Sequence, residues 1–107
     1  MAEREIHDHW FKEAKRKGYR SRAAFKLMQI DDRRGVLSKG DQVLDLGCAP
    51  GSWLQVIAER VGPKGCAWGI DLKEVDAGLP DNVTALLGNA EDPKGAGVPT
   101  DFLFDAI

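Results

Sequence analysis

Cysteine is nearly missing from this chain of 107 residues: only Cys48 and Cys66 occur. Two thiols are too few for a disulfide framework or a four-cysteine zinc cluster, so a reducing, cytoplasmic location is the default expectation and no metal is expected. Long apolar runs are missing too. Nothing approaches the ~18–20 consecutive apolar residues of a membrane span. The charged opening M-A-E-R-E-I-H-D-H lacks the apolar core of a secretory signal. There is no internal repeat and no low-complexity tract. With 43% hydrophobic and 30% charged residues, the chain reads as one small globular unit with a single core.

Charge is divided unevenly. Residues 1–39 hold 11 Lys/Arg against 6 Asp/Glu, and residues 40–107 hold 4 against 11. The basic part is densest at Lys12, Lys15, Arg16, Lys17, Arg20, Arg22 and Lys26, opposed only by Glu13. Such a cluster suits a polyanion, although a solvated helix face looks the same.

The hydrophobic period predicts a helix over 4–17, with Ile6, Trp10, Phe11 and Ala14 on one stripe and Gly18 ending it. A second helix is expected over 22–34, with Ser21 as N-cap, Ala23, Ala24, Leu27, Met28 and Ile30 inward, and Gly35 closing it. Its polar ridge carries Arg22, Lys26, Gln29 and Arg33. Then Val43–Leu46 reads as a buried strand, Ser52–Val61 as a helix stopped by Gly62-Pro63, and Cys66–Asp71 and Val83–Leu87 as strands. The 72–82 connection is short and leaves room for a turn of helix. A Pro/Gly-rich loop is expected over 89–101, and Phe102–Ile107 starts a fourth strand. Strands alternating with helices indicate an α/β fold with a parallel sheet. His7 and His9, two apart, point in different directions and receive no role. Trp10 and Trp68 are assigned to the core.

The informative stretch is D-L-G-C-A-P-G-S-W, Asp45 to Trp53, where the first strand hands over to a helix. In open α/β sheets, ligands bind at the carboxyl ends of the strands. Gly47 and Gly51 allow a tight turn and leave room for a ligand against the main chain. Asp71 ends the next strand, where a carboxylate can accept both hydroxyls of a ribose. A dinucleotide would need G-x-G-x-x-G with free N–H groups. This turn is G-x-x-x-G and places Pro50, which has no N–H, inside it. S-adenosylmethionine (SAM) carries no phosphate; Asp71, Asn89 and the Asp45–Gly51 turn can supply its ribose, adenine and methionine contacts. The pattern favours SAM over a nicotinamide cofactor. A glycine turn that only packs strand on helix stays open, as does a non-catalytic RNA-binding module.

Y-R-S-R-A-A-F-K-L, Tyr19 to Leu27, followed by V-L-D-L-G-C-A-P-G-S-W, Val43 to Trp53, and by G-I-D at Gly69–Asp71, resembles the FtsJ/RrmJ family of ribosomal RNA 2′-O-methyltransferases. The resemblance implies a Rossmann-like SAM-dependent methyltransferase fold with N-terminal helices, cut after about the fourth parallel strand, with strand order 3-2-1-4. It implies methyl transfer to a ribose 2′-hydroxyl, of a uridine in large-subunit ribosomal RNA for bacterial members. Carried over by residue, Gly51 and Trp53 become SAM contacts, joined by Asp45, Gly47 and Pro50 of the same turn. Asp71 matches the ribose-binding acid, and Asn89 stands where the family usually has Asp near the adenine. Lys26 matches the first lysine of the family's Lys-Asp-Lys-Glu catalytic set. The Asp of that set follows the fourth strand in a segment like S-D-M-A-P, beyond Ile107; Asp105, inside the strand, is not that residue. The resemblance makes the second lysine the base, with Lys26 and the Asp tuning it. Segment 1–39 is then a basic, RNA-facing helical piece contacting RNA through Lys12, Lys15, Arg20 and Arg22. Segment 40–107 is the N-terminal half of the SAM-binding domain, inactive by itself. The fourth strand would leave an open edge prone to self-association.

Overall fold

The computed structural model of the chain describes residues 2–98, with side chains from His9 onward. Its elements are α1 (Ala2–Arg16), α2 (Ala23–Arg34), β1 (Gln42–Leu46), α3 (Ser52–Val61), β2 (Cys66–Asp71), β3 (Val83–Leu87) and a single turn, α4 (Pro93–Ala96). The sheet is parallel throughout, with β2 between β1 and β3. Phe102–Ile107, the expected fourth strand, lies outside the described residues, as does its expected open edge. Among the described residues no helix is long and apolar enough to cross a membrane.

Alternation along β1 and β2 divides the core between the two faces of the sheet. Val43 and Ala67 face α3 and α2, where they join Ala24, Leu27, Leu54, Val56, Ile57 and Val61 in the main cluster. Leu44 and Ile70 face the opposite way and pack with Val98, with Trp68, Leu86 and Ala96 around them. Leu54 and Val56 of α3 are fully buried, each stabilising the fold by roughly 1.5–3 kcal/mol. Trp10 is half-buried, its ring 5.0 Å from that of Phe25.

Two local expectations are corrected, and the turn of helix that 72–82 had room for is absent. The N-cap position of α2 is Arg22 and not Ser21, because the helix begins at Ala23, one residue later than expected; the Ser21 hydroxyl still accepts the Ala23 N–H (3.2 Å) and meets Ser52 Oγ (2.7 Å). The 89–101 loop does contain one turn of helix: Asp92 caps it through the Gly95 N–H, and Pro93 opens it, where a missing N–H costs nothing.

The short connector between α1 and α2 is clipped to α3 by side chains. The Gln55 carbonyl accepts the Arg20 N–H (2.8 Å), while its amide donates to Gly18 O (3.1 Å). Tyr19 donates to the Glu59 carboxylate, and Trp53 Nε1 donates to Ala23 O (2.8 Å). A buried Asp31 accepts from the Leu37 N–H and from Arg60, tying the end of α2 to α3. The basic N-terminal segment is therefore packed against the glycine turn, which it helps to wall in.

Candidate functional site

The carboxyl ends of β1 and β2 deliver two acids side by side, Asp45 and Asp71. Between them the chain turns through Gly47, whose φ of +78° suits glycine, and then enters α3 through Gly51 at +108°. The turn borders a crevice of about 300 Å³ lined by Asp45, Gly47, Pro50, Trp53 and, from the neighbouring helices, Ala23 and Ser52. A Cβ at Gly47 would meet nothing within 4 Å, so this glycine opens onto free space. A Cβ at Gly69, one strand over, would come within 2.7 Å of Cys48 Sγ and 2.8 Å of Leu54 Cδ1. Gly69 is what lets the turn lie down on β2.

Three N–H groups of the turn are already used. Those of Gly47 and Cys48 both donate to Ile70 O (2.7 and 3.1 Å), and that of Ala49 donates to Asp71 Oδ2 (3.0 Å). Pro50 has none. Four consecutive positions thus offer nothing to a pyrophosphate, which disfavours the nicotinamide alternative.

The acids differ. Asp71 accepts from Ala49 and, at Oδ1, from the Lys73 N–H (2.8 Å); these amides hold its carboxyl below the usual range. Asp45 has one buried carboxylate oxygen, Oδ2, with no partner. It borders a small cavity of about 100 Å³ among Leu27, Val43, Trp53 and Ile57. Burial first, and then the Asp71 charge, push it up to about 6. The buried Cys48 thiol is pushed up to about 11, chiefly by burial, and is unreactive at neutral pH. Among the described residues no group of three or more His, Cys, Asp or Glu could hold a metal ion.

The other expected site residues are placed as follows. Gly51 is buried, with Val75, Arg20 and Leu79 where its Cβ would be (3.2–3.4 Å). Asn89 lies just past β3, exposed, its carbonyl accepting the Glu91 N–H. Lys26 is exposed and opens onto a separate groove of about 350 Å³ with Gln29, Ile30, Arg33 and Arg34. Lys12, Lys15 and Arg22 are exposed, whereas Arg20 turns its guanidinium onto Pro50 O (3.1 Å) and Ala77 O (2.7 Å). Ser52 and Ala23 line the crevice without having been singled out. Ser52 had one sequence signal, its place at the first helical position after Gly51; Ala23 had none.

The family model for FtsJ-like methyltransferase matches residues 19–105. A ribosomal RNA large subunit methyltransferase E of Syntrophobacter fumaroxidans is 47% identical over 89 residues, covering 83% of this chain and 45% of that protein. The protein of the same name from Desulforapulum autotrophicum is 49% identical over 103 residues, covering 94% and 50%. The crystal structure of a ribosomal RNA methyltransferase from Plasmodium falciparum matches with a TM-score of 0.60 at 46% identity, covering 66% of this chain and 38% of that one. The chain spans about half the length of the curated relatives it matches. The resemblance carried by the Tyr19–Leu27 and Val43–Trp53 motifs is borne out: the chain belongs to the FtsJ-like methyltransferase family.

Proposed function

We propose that the chain is the SAM-binding part of a methyltransferase acting on the ribose 2′-hydroxyl of a uridine in large-subunit ribosomal RNA. The observation that carries this reading is the unpartnered, buried Oδ2 of Asp45 beside four consecutive turn positions, Gly47 to Pro50, that offer no free N–H. Such a site is rich in acceptors and poor in donors. It suits a cationic ligand with hydroxyls, not a phosphate.

The residues present fit SAM. Asp45 supplies an acceptor for its positive methionine end. Gly47 and Pro50 leave the crevice open, Trp53 forms one wall, and Gly51 fixes the entry into α3. Each Asp71 oxygen accepts one N–H and keeps a lone pair for a ribose hydroxyl. Asn89, beyond the neighbouring strand, offers an amide to the adenine. When bound, SAM supplies an electrophilic sulfonium methyl. Lys26 takes part in orienting and activating the acceptor hydroxyl, as the first member of the four-residue catalytic set. It is the single member assigned here, so the chain is expected to bind SAM without turning it over.

The exposed Lys12, Lys15 and Arg22, with the groove beside Lys26, Arg33 and Arg34, provide cations for an RNA backbone. Residues 1–39 form the RNA-facing piece and 40–107 the cofactor-binding one, and the natural setting is the cytoplasm. Titration calorimetry tests the reading: SAM and S-adenosylhomocysteine should both give saturable heat. No heat at millimolar ligand would overturn the cofactor assignment. The exposed basic cluster also supports an RNA-binding module without catalysis. That reading gains if RNA binds with a steep salt dependence and SAM binds not at all.

A further inference from the structure

The segment from Leu72 to Pro80 joins β2 to β3 with no regular secondary structure, and most of it is exposed; Leu72 keeps 76% of its surface in solvent. Such a stretch has few local means of holding one shape. Two apolar side chains, Val75 and Leu79, pack against the main core cluster and over Gly51. Among the described residues, the side chain that hydrogen-bonds the connection from another part of the chain is that of Arg20.

Arg20 reaches the connection from the far side of the glycine turn. Nη1 donates to Pro50 O (3.1 Å) and Nη2 to Ala77 O (2.7 Å). Its Cδ lies 3.3 Å from the position of a Gly51 Cβ. One planar fork thus bridges two main-chain carbonyls belonging to the turn and to the connection. The root of the side chain is fixed as well, since the Arg20 N–H is held by Gln55 of α3. Glu74 and Asp76 line a depression of about 380 Å³ with Arg20 and Pro50, so two acids share the surface on which the cation lies. Two of the five guanidinium N–H groups are thereby committed to main-chain carbonyls of the protein, which fixes where the fork points.

We infer that Arg20 is a positioning residue for the cofactor crevice, latching the 72–80 connection to the glycine turn, and is not a contact to RNA. The inference rests on reading that crevice as the SAM site. The latch matters because Asp71 stands at the root of the connection and accepts N–H groups from both sides of the bridge, Ala49 of the turn and Lys73 of the connection. If the connection swings away, the Asp71 carboxylate loses its fixed orientation towards the ligand. Lysine cannot replace the latch fully, because a single ammonium lacks the flat fork that reaches two separated acceptors.

The test compares R20Q and R20K with the wild-type chain in three measurements. In R20Q, affinity for S-adenosylhomocysteine by calorimetry should fall about tenfold, a difference of about 1.4 kcal/mol. Affinity for a uridine-rich oligoribonucleotide, and its salt slope, should not change. Trypsin should cut after Lys73 several-fold faster than in wild type, and S-adenosylhomocysteine should slow that cut in the wild-type chain. R20K keeps charge and stem, and it should lie between the two in cleavage rate; it also serves if R20Q fails to fold. Unchanged cofactor affinity with weakened RNA binding and a shallower salt slope would overturn the inference and make Arg20 a phosphate contact. Unchanged cleavage after Lys73 would overturn it too. If the wild-type chain itself gives no heat with S-adenosylhomocysteine, the SAM reading fails, while the cleavage rates still judge the latch.

Discussion

The two ends of the β1–β2–β3 ladder solve opposite problems. At the amino ends, backbone and side-chain groups are tied to one another across the elements. The Gly40 N–H donates to Val61 O, Cys66 N–H to Asp41 O, and the Asn82 side chain to both Ala58 O and Gly62 O. Gly65 is there because a Cβ would sit 2.6 Å from Asp41 O and from Val61 Cβ. At the carboxyl ends a buried carboxylate oxygen has no partner, two acids lie close together, and Gly47 faces empty space. Glycine serves close packing at one end and an open turn at the other. The first end is built for stability. The second gives some stability up to keep acceptors free for a ligand.

The largest effect is expected where the two ends are mechanically joined. Gly69→Val would drive side-chain atoms into Cys48 and Leu54 and should cost about 3 kcal/mol, at the upper end of usual overpacking penalties. Urea denaturation measures that loss, and cofactor affinity should disappear with it. A normal midpoint would mean that the turn can retreat from β2.

Gly65→Ala meets backbone at 2.6 Å and should cost about 2 kcal/mol while leaving affinity for S-adenosylhomocysteine intact. A parallel loss of affinity would erase the distinction between the ends.

At the other end, Asp45→Asn should weaken SAM about tenfold, or about 1.4 kcal/mol, without destabilising the ligand-free chain, since no partner is lost. Its pH dependence sharpens the contrast. Asp45 is raised to about 6, so it holds its proton more tightly folded than unfolded. Its contribution to stability is full below the ordinary carboxylate value of ~3.9 and is lost as pH climbs through about 6. Asp71 is lowered by its amide partners and acts in the opposite sense: its contribution is present above the ordinary range and fades on acidification. In denaturation midpoints measured from pH 4 to 8, Asp45→Asn should remove the loss of stability near pH 6. The same titration should tighten SAM binding as Asp45 ionises, and S-adenosylhomocysteine, which lacks the sulfonium charge, should respond less.

The smallest effect is expected away from both ends. Tyr19→Phe removes the hydrogen bonds to Glu59 that dock the α1–α2 connector and should cost about 1 kcal/mol, with little change in cofactor affinity. Burial and Glu59 push the Tyr19 phenol up to about 12, so the phenol should keep its proton, and remain the donor of this bond, through neutral and moderately alkaline pH.

Much of the frame was legible before any coordinates. The strands at 66–71 and 83–87 and the helix at 52–61 have the expected bounds, because an unbroken apolar run and a 3.6-residue stripe are local signals with glycine or proline at their ends. Ser21 misled by one residue: the helix starts at Ala23, and the Ser21 hydroxyl, besides taking the Ala23 N–H, meets Ser52, 31 residues away. The one-turn helix at 93–96 was hidden by its own Pro and Gly, although Asp92-Pro93 is a helix-start signature. Arg20 looked like one more member of a basic cluster; only its partners, 30 and 57 residues distant, show where it points.

Local chemistry alone determined the parallel α/β frame, the glycine turn after β1 and the acid that ends β2, since each depends on residues adjacent in the chain. Which groups of that turn remain free was decided only when the chain folded. Hydrogen bonds to Ile70 and Asp71 consume the N–H groups of Gly47, Cys48 and Ala49, burial raises Asp45, and Arg20 bridges the turn to the 72–80 connection. Each of these depends on distances between residues far apart in sequence, and those distances do not exist until the sheet and its helices have packed.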